Sequence, residues 1–256
     1  MKSALEGKRA FVSGATSGIG ESCARRLAAS GVNLVLHGRS GAKVEALAAE
    51  LRHFGVETSA VLFDVRDRKA VEWEMARLLQ ETEIDILINN AGLALGLEPI
   101  DAGDVDQWEE MIDANIKGLL YVSRAVIPQM RRRNRGHILN IGSIAGKMTY
   151  PGGNVYCATK SAVHTLTEAM NIDLAGTAVR VGNIAPGAVW TQFSHTRFSG
   201  DGVRAGGVYE GYEPLHADDV ADLALYILSA PPHVNIQDVL IMPTAQRNPY
   251  LLSRGE

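Results

Sequence analysis

Seven short runs of apolar and β-branched residues alternate with segments of helical periodicity along this 256-residue chain. The runs span 9–13, 33–37, 59–64, 85–89, 137–142, 178–185 and 239–242, and the helical segments span 18–30, 42–54, 68–82, 106–134, 155–176 and 217–229. Strands that alternate with helices form βαβ units, whose right-handed crossovers keep the strands parallel. We therefore predict a single doubly wound α/β domain over 1–256, with a seven-stranded parallel sheet and helices on both faces.

Composition and charge argue against several function classes. The chain is 46% hydrophobic and 21% charged, and its net charge of −4 gives no reason to expect a nucleic-acid partner. The one dense basic run, 131–135, falls where a helix should end and complements the helix dipole. Two cysteines without a CxxC motif and seven histidines without ligand spacing suggest neither a disulfide nor a metal site. We see no signal-peptide core or membrane-spanning run, so we expect a cytoplasmic protein with no membrane partner.

A glycine-rich turn follows the first predicted strand. Gly14, Gly18 and Gly20 flank Ser17 and Ile19 at the start of the first helical segment. Glycines allow a tight turn and a close backbone approach, and the helix N-terminus offers free N–H groups to a pyrophosphate. The spacing is Gly-x-x-x-Gly-x-Gly rather than the general Gly-x-Gly-x-x-Gly. A glycine cluster alone also fits a plain strand–helix junction, but its position after the first strand favours a dinucleotide site.

The end of the second run indicates which dinucleotide is bound. An NAD site usually places a carboxylate there, and residues 33–40 contain none. Gly38 leaves room, Arg39 supplies a planar fork that suits a 2′-phosphate, and Ser17 and Ser40 add hydroxyl donors. The alternative is that Arg39 only faces solvent. We predict NADP as the cofactor.

Tyr156 and Lys160 are four residues apart on one predicted helix. This spacing stacks a phenol and an ammonium on one helix face. A phenol has a pKa near ~10, and a neighbouring cation favours its charged form, so the pair suits a general acid/base near neutral pH. The same spacing also occurs on ordinary solvated helix faces, so its meaning depends on the neighbouring residues.

Other polar residues fall where the predicted strands end, at 89–92, 142–143 and 186–187. Ligands bind at the carboxyl ends of the strands in open α/β sheets. Ser143 precedes the helix of Tyr156 closely enough for the two hydroxyls to meet one substrate oxygen. Asn115 alone would be an ordinary helix residue. The glycine-rich, aperiodic segment 190–214 is typical of a substrate lid.

Taken together, these elements resemble the classical short-chain dehydrogenase/reductases. The matching residues occur in the expected order: Gly14, Gly18, Ile19, Gly20, Asp64, Val65, Asn89, Asn90, Ala91, Gly92, Asn115, Ser143, Tyr156, Lys160, Pro186 and Gly187. The resemblance implies a Rossmann-type domain and an enzyme that acts on CH–OH groups with NADP.

The resemblance also implies roles for individual residues. Tyr156 would act as general acid/base. Lys160 would bind the nicotinamide ribose and lower the pKa of Tyr156. Ser143 would orient and polarise the substrate carbonyl, and Asn115 would hold a water in a proton relay to Lys160. The four residues form the expected catalytic group.

The resemblance extends to the cofactor contacts. Asp64 would meet the adenine, Asn90 the adenosine ribose, and Thr191 with the Val189 backbone the nicotinamide amide. The full set of expected cofactor contacts is Gly14, Ser17, Gly18, Ile19, Gly20, Arg39, Ser40, Asp64, Val65, Asn90, Ala91, Gly92, Tyr156, Lys160, Pro186, Gly187, Val189 and Thr191.

Segments 89–96, 152–156, 174–181 and 233–236 look like the NADP-dependent 3-hydroxy acid (serine) dehydrogenase subgroup. That subgroup implies a small acidic substrate of the serine, 3-hydroxypropanoate/malonic semialdehyde or sulfoacetaldehyde type, and a homotetramer. Lys147 and Arg197 are candidate cations for the substrate anion, as is Arg247 or Arg254 from a neighbouring subunit. The chain departs from the subgroup at Lys147 and in a shortened 186–191 segment. The alternatives are a 3-oxoacyl carrier-protein reductase or broad carbonyl reductase, and a non-catalytic NADP-sensing protein.

Overall fold

The computed structural model describes residues 4–198 and 200–255. Its strands are β1 Arg9–Val12, β2 Asn33–Gly38, β3 Thr58–Leu62, β4 Ile86–Asn89, β5 Gly136–Ile141, β6 Val179–Pro186, β7 Val189–Trp190, β8 Leu215–His216 and β9 Asp238–Ile241. Seven of them form one sheet in the order β3-β2-β1-β4-β5-β6-β9, and every neighbouring pair is parallel. The predicted seven-stranded parallel sheet is confirmed. The strand order reverses between β1 and β4, and this switch point opens a crevice at the carboxyl ends of the strands.

The α-helices lie on both faces of this sheet. They are α1 Gly18–Ala29, α2 Gly41–Leu51, α3 Arg68–Glu81, α4 Val105–Ile112, α5 Leu119–Arg133, α6 Asn154–Asp173, α7 Phe193–Arg197, α8 Gly202–Gly207 and α9 Ala217–Ser229, with 3-10 turns at Arg52–Phe54 and Ile144–Gly146.

Two apolar cores result from the two-residue period of the strands. In β1, Ala10 and Val12 pack with α1, α2 and α9, whereas Phe11 between them packs with α3, α5 and α6 on the other face. Successive strand side chains point to opposite faces, so a strand covered on both sides must be apolar at nearly every position. This requirement explains why the strands could be read from the sequence as continuous apolar runs.

The predicted helical stretch 106–134 is helical from Val105 to Arg133, but not as a single α-helix. A π-helical segment, Asp113–Gly118, separates α4 from α5. A π segment inserts an extra residue into the helical ladder, which hydrophobic periodicity does not reveal. It carries Asn115, and its last residue packs so closely on Val65 that a β-carbon on Gly118 would lie 2.8 Å from the Val65 Cβ.

The segment 190–214, expected as an irregular lid, begins at the last residue of β7, contains α7 and α8 and runs up to the start of β8. It packs through specific contacts: the Tyr209 hydroxyl donates to the Val189 carbonyl at 2.8 Å and lies 2.7 Å from the Ser194 hydroxyl. The Gly96 amide donates to the Arg197 carbonyl at 3.1 Å, which ties α7 to the loop after β4.

Two structural features are absent from the described part of the chain. None of its helices is long and apolar enough to cross a membrane. It also contains no group of three or more His, Cys, Asp or Glu side chains that could hold a metal ion.

Candidate active site

A cavity of about 460 Å³ opens at the carboxyl ends of the strands, around the switch point. Seventeen of the predicted site residues line it: Gly14, Ser17, Gly18, Ile19, Arg39, Asp64, Val65, Asn90, Ala91, Gly92, Ser143, Tyr156, Lys160, Pro186, Val189, Thr191 and Arg197. The remaining five, Gly20, Ser40, Asn115, Lys147 and Gly187, lie outside the described lining. The fold therefore brings residues from most of the chain to one edge of the sheet.

The glycine turn forms a cradle with no room for side chains. Gly14 and Gly18 have φ of +63° and +53°, a conformation that side chains resist. A β-carbon on Gly20 would collide with the Gly14 carbonyl oxygen and the Asn90 side chain. α1 begins at Gly18, and its N-cap residue Ser17 makes no side-chain capping bond to any described residue. The N–H groups of the first turn are thus available to an anion, which fits the pyrophosphate of a dinucleotide.

Hydrogen bonds of Ser13 and Asn90 stabilise the glycine turn. The Ser13 hydroxyl accepts from the Asn90 and Ala91 amides at 2.9 and 3.0 Å. The Asn90 side-chain amide donates to the Ser13 and Gly14 carbonyls at 3.1 and 3.0 Å. Asn90, expected at the adenosine ribose, is therefore also a brace for the glycine turn. Ser13 was not singled out, because a serine at the end of a strand carries no distinctive signal.

Two arginines lie at the end of the cavity expected to take the adenosine. The Arg39 side chain is 67% exposed, and its Nη1 lies 3.9 Å from an oxygen of Asp64. Arg66, which the sequence analysis did not select, donates to Asp64 at 2.7 Å and forms an ion pair with Glu110 at 2.6 Å. These bonds from Arg66 are the main reason that the pKa of Asp64 lies below its usual value. Arg39 is thus the less engaged of the two cations and the freer to meet a phosphate.

His37 is a buried residue of the site that the sequence analysis missed. Its Nε2 lies 3.0 Å from the Phe63 carbonyl, and the Gly14 amide donates to its Nδ1 at 3.3 Å. Burial lowers the pKa of His37 to about 4, so the ring is neutral at neutral pH. A neutral ring that accepts from Gly14 must carry its proton on Nε2, where the Phe63 carbonyl receives it. His37 therefore links β2 to the glycine turn.

Three of the four predicted catalytic residues, Ser143, Tyr156 and Lys160, line the cavity after β5 and on α6. Ser143 follows β5, and its hydroxyl accepts from the Ala145 amide at 3.1 Å. It lines the same cavity as Tyr156 and lies close enough to lower the pKa of that phenol. Tyr156 and Lys160 are each only 7% exposed, and the Lys160 ammonium donates to the Ile141 carbonyl at 2.9 Å. A proton donor or acceptor and a hydroxyl that can orient an oxygen thus face the same cavity.

The lowering of the Tyr156 pKa, which the resemblance implies for Lys160 together with an oxidised nicotinamide, remains a prediction. Burial raises the pKa of Tyr156, with a further contribution from Tyr150, and these outweigh the opposing effects of Arg197 and Ser143. Burial also lowers the pKa of Lys160 to about 8. Arg197 is a cation that lowers the pKa of the Tyr156 phenol, against the larger effect of burial.

The Asn115 side chain bonds to the loop after β4 and to α6. Its side-chain amide donates to the Leu93 carbonyl at 2.8 Å and to the Thr159 hydroxyl at 3.0 Å, and its oxygen accepts from the Leu93 amide at 2.8 Å. The side chain is therefore occupied in fixing the loop after β4. Its expected role in a proton relay to Lys160 remains a prediction.

The far end of the cavity carries a cation. Arg197 on α7 donates to the Tyr150 hydroxyl at 2.6 Å, and its guanidinium carbon lies 5.0 Å from the centre of the Tyr156 ring. The Arg197 Nε is buried and has no hydrogen-bond partner among the described residues. Phe193 closes this end, with its ring 5.6 Å from that of Tyr156. Tyr150 was missed because an aromatic residue in a loop gives no signal of its own.

Lys147, the other residue expected to bind the substrate anion, lies outside the described lining of the cavity. Its ammonium forms an ion pair with Asp238 at the start of β9. Arg254 donates to the Glu210 carbonyl of its own chain, so this structure gives it a partner within the subunit. Gly187 packs against the side chains of Gln246 and Met242. Of Lys147 and Arg197, only Arg197 belongs to the described lining of the cavity.

Comparison with known proteins identifies the chain. Residues 8–202 match the family model described as short chain dehydrogenase.

The chain belongs to the short-chain dehydrogenase family.

Several relatives of this short-chain dehydrogenase have been named. It is 48% identical over 238 residues to the NADP-dependent 3-hydroxy acid dehydrogenase YdfG of Salmonella typhi, covering 92% of this chain and 95% of that protein. It is 42% identical over 238 residues to sulfoacetaldehyde reductase 2 of Chromohalobacter salexigens, covering 92% and 94%. The closed form of a serine dehydrogenase complexed with NADP+ superposes with a TM-score of 0.90 at 43% identity, over 97% of this chain and 100% of that one. The predicted fold, family and subgroup are confirmed, and this short-chain dehydrogenase is an enzyme that acts on CH–OH groups.

Proposed function

We propose that this enzyme transfers a hydride between NADP(H) and the hydroxyl-bearing carbon of a small 3-hydroxy acid or a related acidic alcohol or aldehyde. Serine, 3-hydroxypropanoate with malonic semialdehyde, and sulfoacetaldehyde represent the substrate type. The observation that carries the proposal is the guanidinium of Arg197 inside the cavity, 5.0 Å from the ring of the predicted acid/base Tyr156.

The cofactor prediction, NADP, is confirmed by relatives named as NADP-dependent and by the similar structure complexed with NADP+. The chain's own residues fit this group. Gly14, Gly18 and Gly20 leave an open cradle at the N-terminus of α1, and Arg39 offers an exposed guanidinium where a 2′-phosphate would lie. The nicotinamide supplies or accepts the hydride, while the protein aligns and polarises the substrate.

Three side chains take part in the transfer of the substrate hydroxyl proton. Tyr156 accepts the proton of the substrate hydroxyl in oxidation and returns it in reduction, and Ser143 holds the same substrate oxygen through its hydroxyl. Lys160 is a buried ammonium one helical turn away, and its lowered pKa of about 8 lets it exchange protons near neutral pH. The raised pKa of Tyr156 favours a protonated phenol, the form that reduction of a carbonyl requires.

The substrate's acid group is assigned to Arg197 and Tyr150. A guanidinium pairs with a carboxylate or sulfonate through parallel N–H donors, and the Tyr150 hydroxyl can donate beside it. The Arg197 Nε is buried and has no partner in the part of the chain that the structure describes, so it gains an acceptor when an anion enters. Phe193 and the ring of Tyr156 bound this space, so only a short substrate places its hydroxyl at Tyr156.

The experiment is a substrate screen in both directions with NADP and NAD compared. Serine, 3-hydroxybutyrate, 3-hydroxypropanoate and the sulfonate analogue are tested beside alcohols of the same length that lack the acid, and beside acyl thioesters. We expect turnover with NADP and a strong preference for the acidic members. A preference for acyl thioesters or for neutral alcohols would favour a carrier-protein reductase or a broad carbonyl reductase instead. NADP binding without turnover of any alcohol would support the sensing role.

Other parts of the proposal rest on the resemblance. We propose a homotetramer in the cytoplasm, and a single domain in which segment 190–214 serves as the substrate lid. Sedimentation of the purified protein measures the first of these directly.

A further inference from the structure

Four polar residues occupy one row across neighbouring strands of the sheet. Asn89, Asn140, Asn183 and Asp238 are register partners in sequence on β4, β5, β6 and β9. Residues in register on parallel strands point to the same face, and Asn140 identifies it, because its amide donates to Thr167 on α6 at 2.9 Å. The three asparagines are buried, whereas Asp238 lies at the sheet edge and is partly exposed.

Asp238 joins three elements of the fold. One carboxylate oxygen accepts from Asn183 on β6 at 2.8 Å, and the other forms the ion pair with Lys147. His164 on α6 lies 3.7 Å from Asp238 and 3.6 Å from Glu168. Burial alone would raise the pKa of Asp238, but Lys147 and Asn183 outweigh it and keep the pKa below the usual value. Asp238 is therefore a carboxylate at neutral pH.

Lys147 ends the short turn that carries Ser143. The Gly146 amide donates to the Ser143 carbonyl at 2.9 Å, and Lys147 follows directly. The Ser161 hydroxyl on α6 donates to the Gly146 carbonyl at 3.0 Å, and a β-carbon on Gly146 would meet the backbone of Lys160. The turn thus has two attachments: one to α6 at its middle, and one to the sheet edge through Lys147.

We propose that Asp238 is a positioning residue for the reaction. Through Lys147 it anchors the turn 143–147 to β9, and so fixes the position of Ser143 in the cavity that Tyr156 also lines. The kinetic part of the test rests on the proposed oxidoreductase function. The anchoring itself can be measured without a substrate.

Lys147 was also a candidate to bind the substrate anion, and that role predicts a different effect of removing Asp238. If Lys147 bound the substrate anion, Asp238 would compete with the substrate, and its removal would strengthen substrate binding. In the anchoring role, removal of either partner gives the same defect. The pair is partly exposed, so its effect on stability is small, and the effect to look for is on geometry.

The experiment compares Asp238→Asn, Lys147→Met, the double variant and the charge-swapped Lys147→Asp/Asp238→Lys enzyme. Asp222→Asn is the matched control, because Asp222 pairs with Arg26 at 2.6 Å between α1 and α9, away from the cavity. Hydrogen exchange of residues 143–148 is measured on each protein, and kcat and KM are measured with the best alcohol of the substrate screen.

Both single variants should exchange faster over 143–148 and lose about tenfold in kcat, with KM and the NADP dissociation constant changed by less than about twofold. The double variant should lose no more than either single one, and the charge swap should recover most of kcat. Unchanged exchange in Asp238→Asn would overturn the proposal, as would additive losses in the double variant, or a KM that rises in Lys147→Met and falls in Asp238→Asn. If no alcohol is turned over, the proposed function fails while the exchange result still decides the anchoring role.

Discussion

The guanidinium of Arg197 lies over the ring of Tyr156, with 5.0 Å between its central carbon and the ring centre. The two residues come from α7 and α6, and Tyr150 between them accepts a hydrogen bond from the arginine at 2.6 Å. A cation beside an acid/base group fixes where an anionic substrate places its hydroxyl. This relationship leads to a first prediction on substrate selection.

Replacement of Arg197 by Met should lower kcat/KM for acidic alcohols by about 10- to 100-fold, because a charge-assisted hydrogen bond contributes about 1.5–3 kcal/mol. Neutral alcohols of the same length should lose much less. The comparison is made by steady-state kinetics on both substrate classes. Arg204→Met is the control, since Arg204 stacks on Phe198 and lies outside the described lining of the cavity. Equal losses on both classes would show that Arg197 only supports the fold of α7.

Replacement of Tyr156 by Phe removes the phenol hydroxyl from the cavity that Ser143 also lines. We expect kcat to fall by about 10²- to 10⁴-fold, the usual contribution of general acid/base catalysis, while NADPH binding changes little. The two readouts are single-turnover kinetics and the fluorescence of bound NADPH. Near wild-type turnover in this variant would refute the assigned role.

Replacement of Arg39 by Ala should weaken NADP binding by about 10- to 100-fold and leave NAD binding nearly unchanged, because only NADP carries the 2′-phosphate. Titration of the two cofactors measures the ratio. Lys43→Ala removes one positive charge from the neighbouring exposed surface of α2 and should preserve the preference. A similar loss for NAD would mean that Arg39 contacts a part common to both cofactors.

His37 should make stability depend on pH. Its pKa falls from 6.5 to about 4 on folding, so between these values the unfolded chain binds a proton that the folded chain does not. The free energy of unfolding should therefore fall as pH drops through this window, by an upper bound of about 3 kcal/mol from this residue.

His37→Gln keeps an amide donor and acceptor but does not titrate there. Urea unfolding from about pH 7 to about pH 5 should give a shallower dependence in the variant than in the wild type. Part of the slope remains, since burial also lowers the pKa of His137, to about 3. Parallel curves for the two proteins would contradict the assigned neutral state of His37.

Much of the fold could be predicted because its signals are local. The run 33–37 became β2 Asn33–Gly38, and the run 239–242 became β9 Asp238–Ile241, each within one residue. A strand buried on both faces must be apolar throughout, and this leaves a mark in the sequence whatever its partners are. The π segment Asp113–Gly118 left no such mark, because one inserted residue barely alters a helical period.

The sequence by itself determined the apolar runs of the strands, the glycine turn at Gly14 to Gly20 and the alignment of Tyr156 with Lys160, since each depends on residues close together in the chain. Only the tertiary structure decided which cation faces the cavity. Arg197 meets Tyr150 across 47 positions, and Lys147 is drawn to Asp238 across 91. The sequence shows that an arginine or lysine is charged. Which group it pairs with depends on which elements the folded sheet brings within hydrogen-bonding distance.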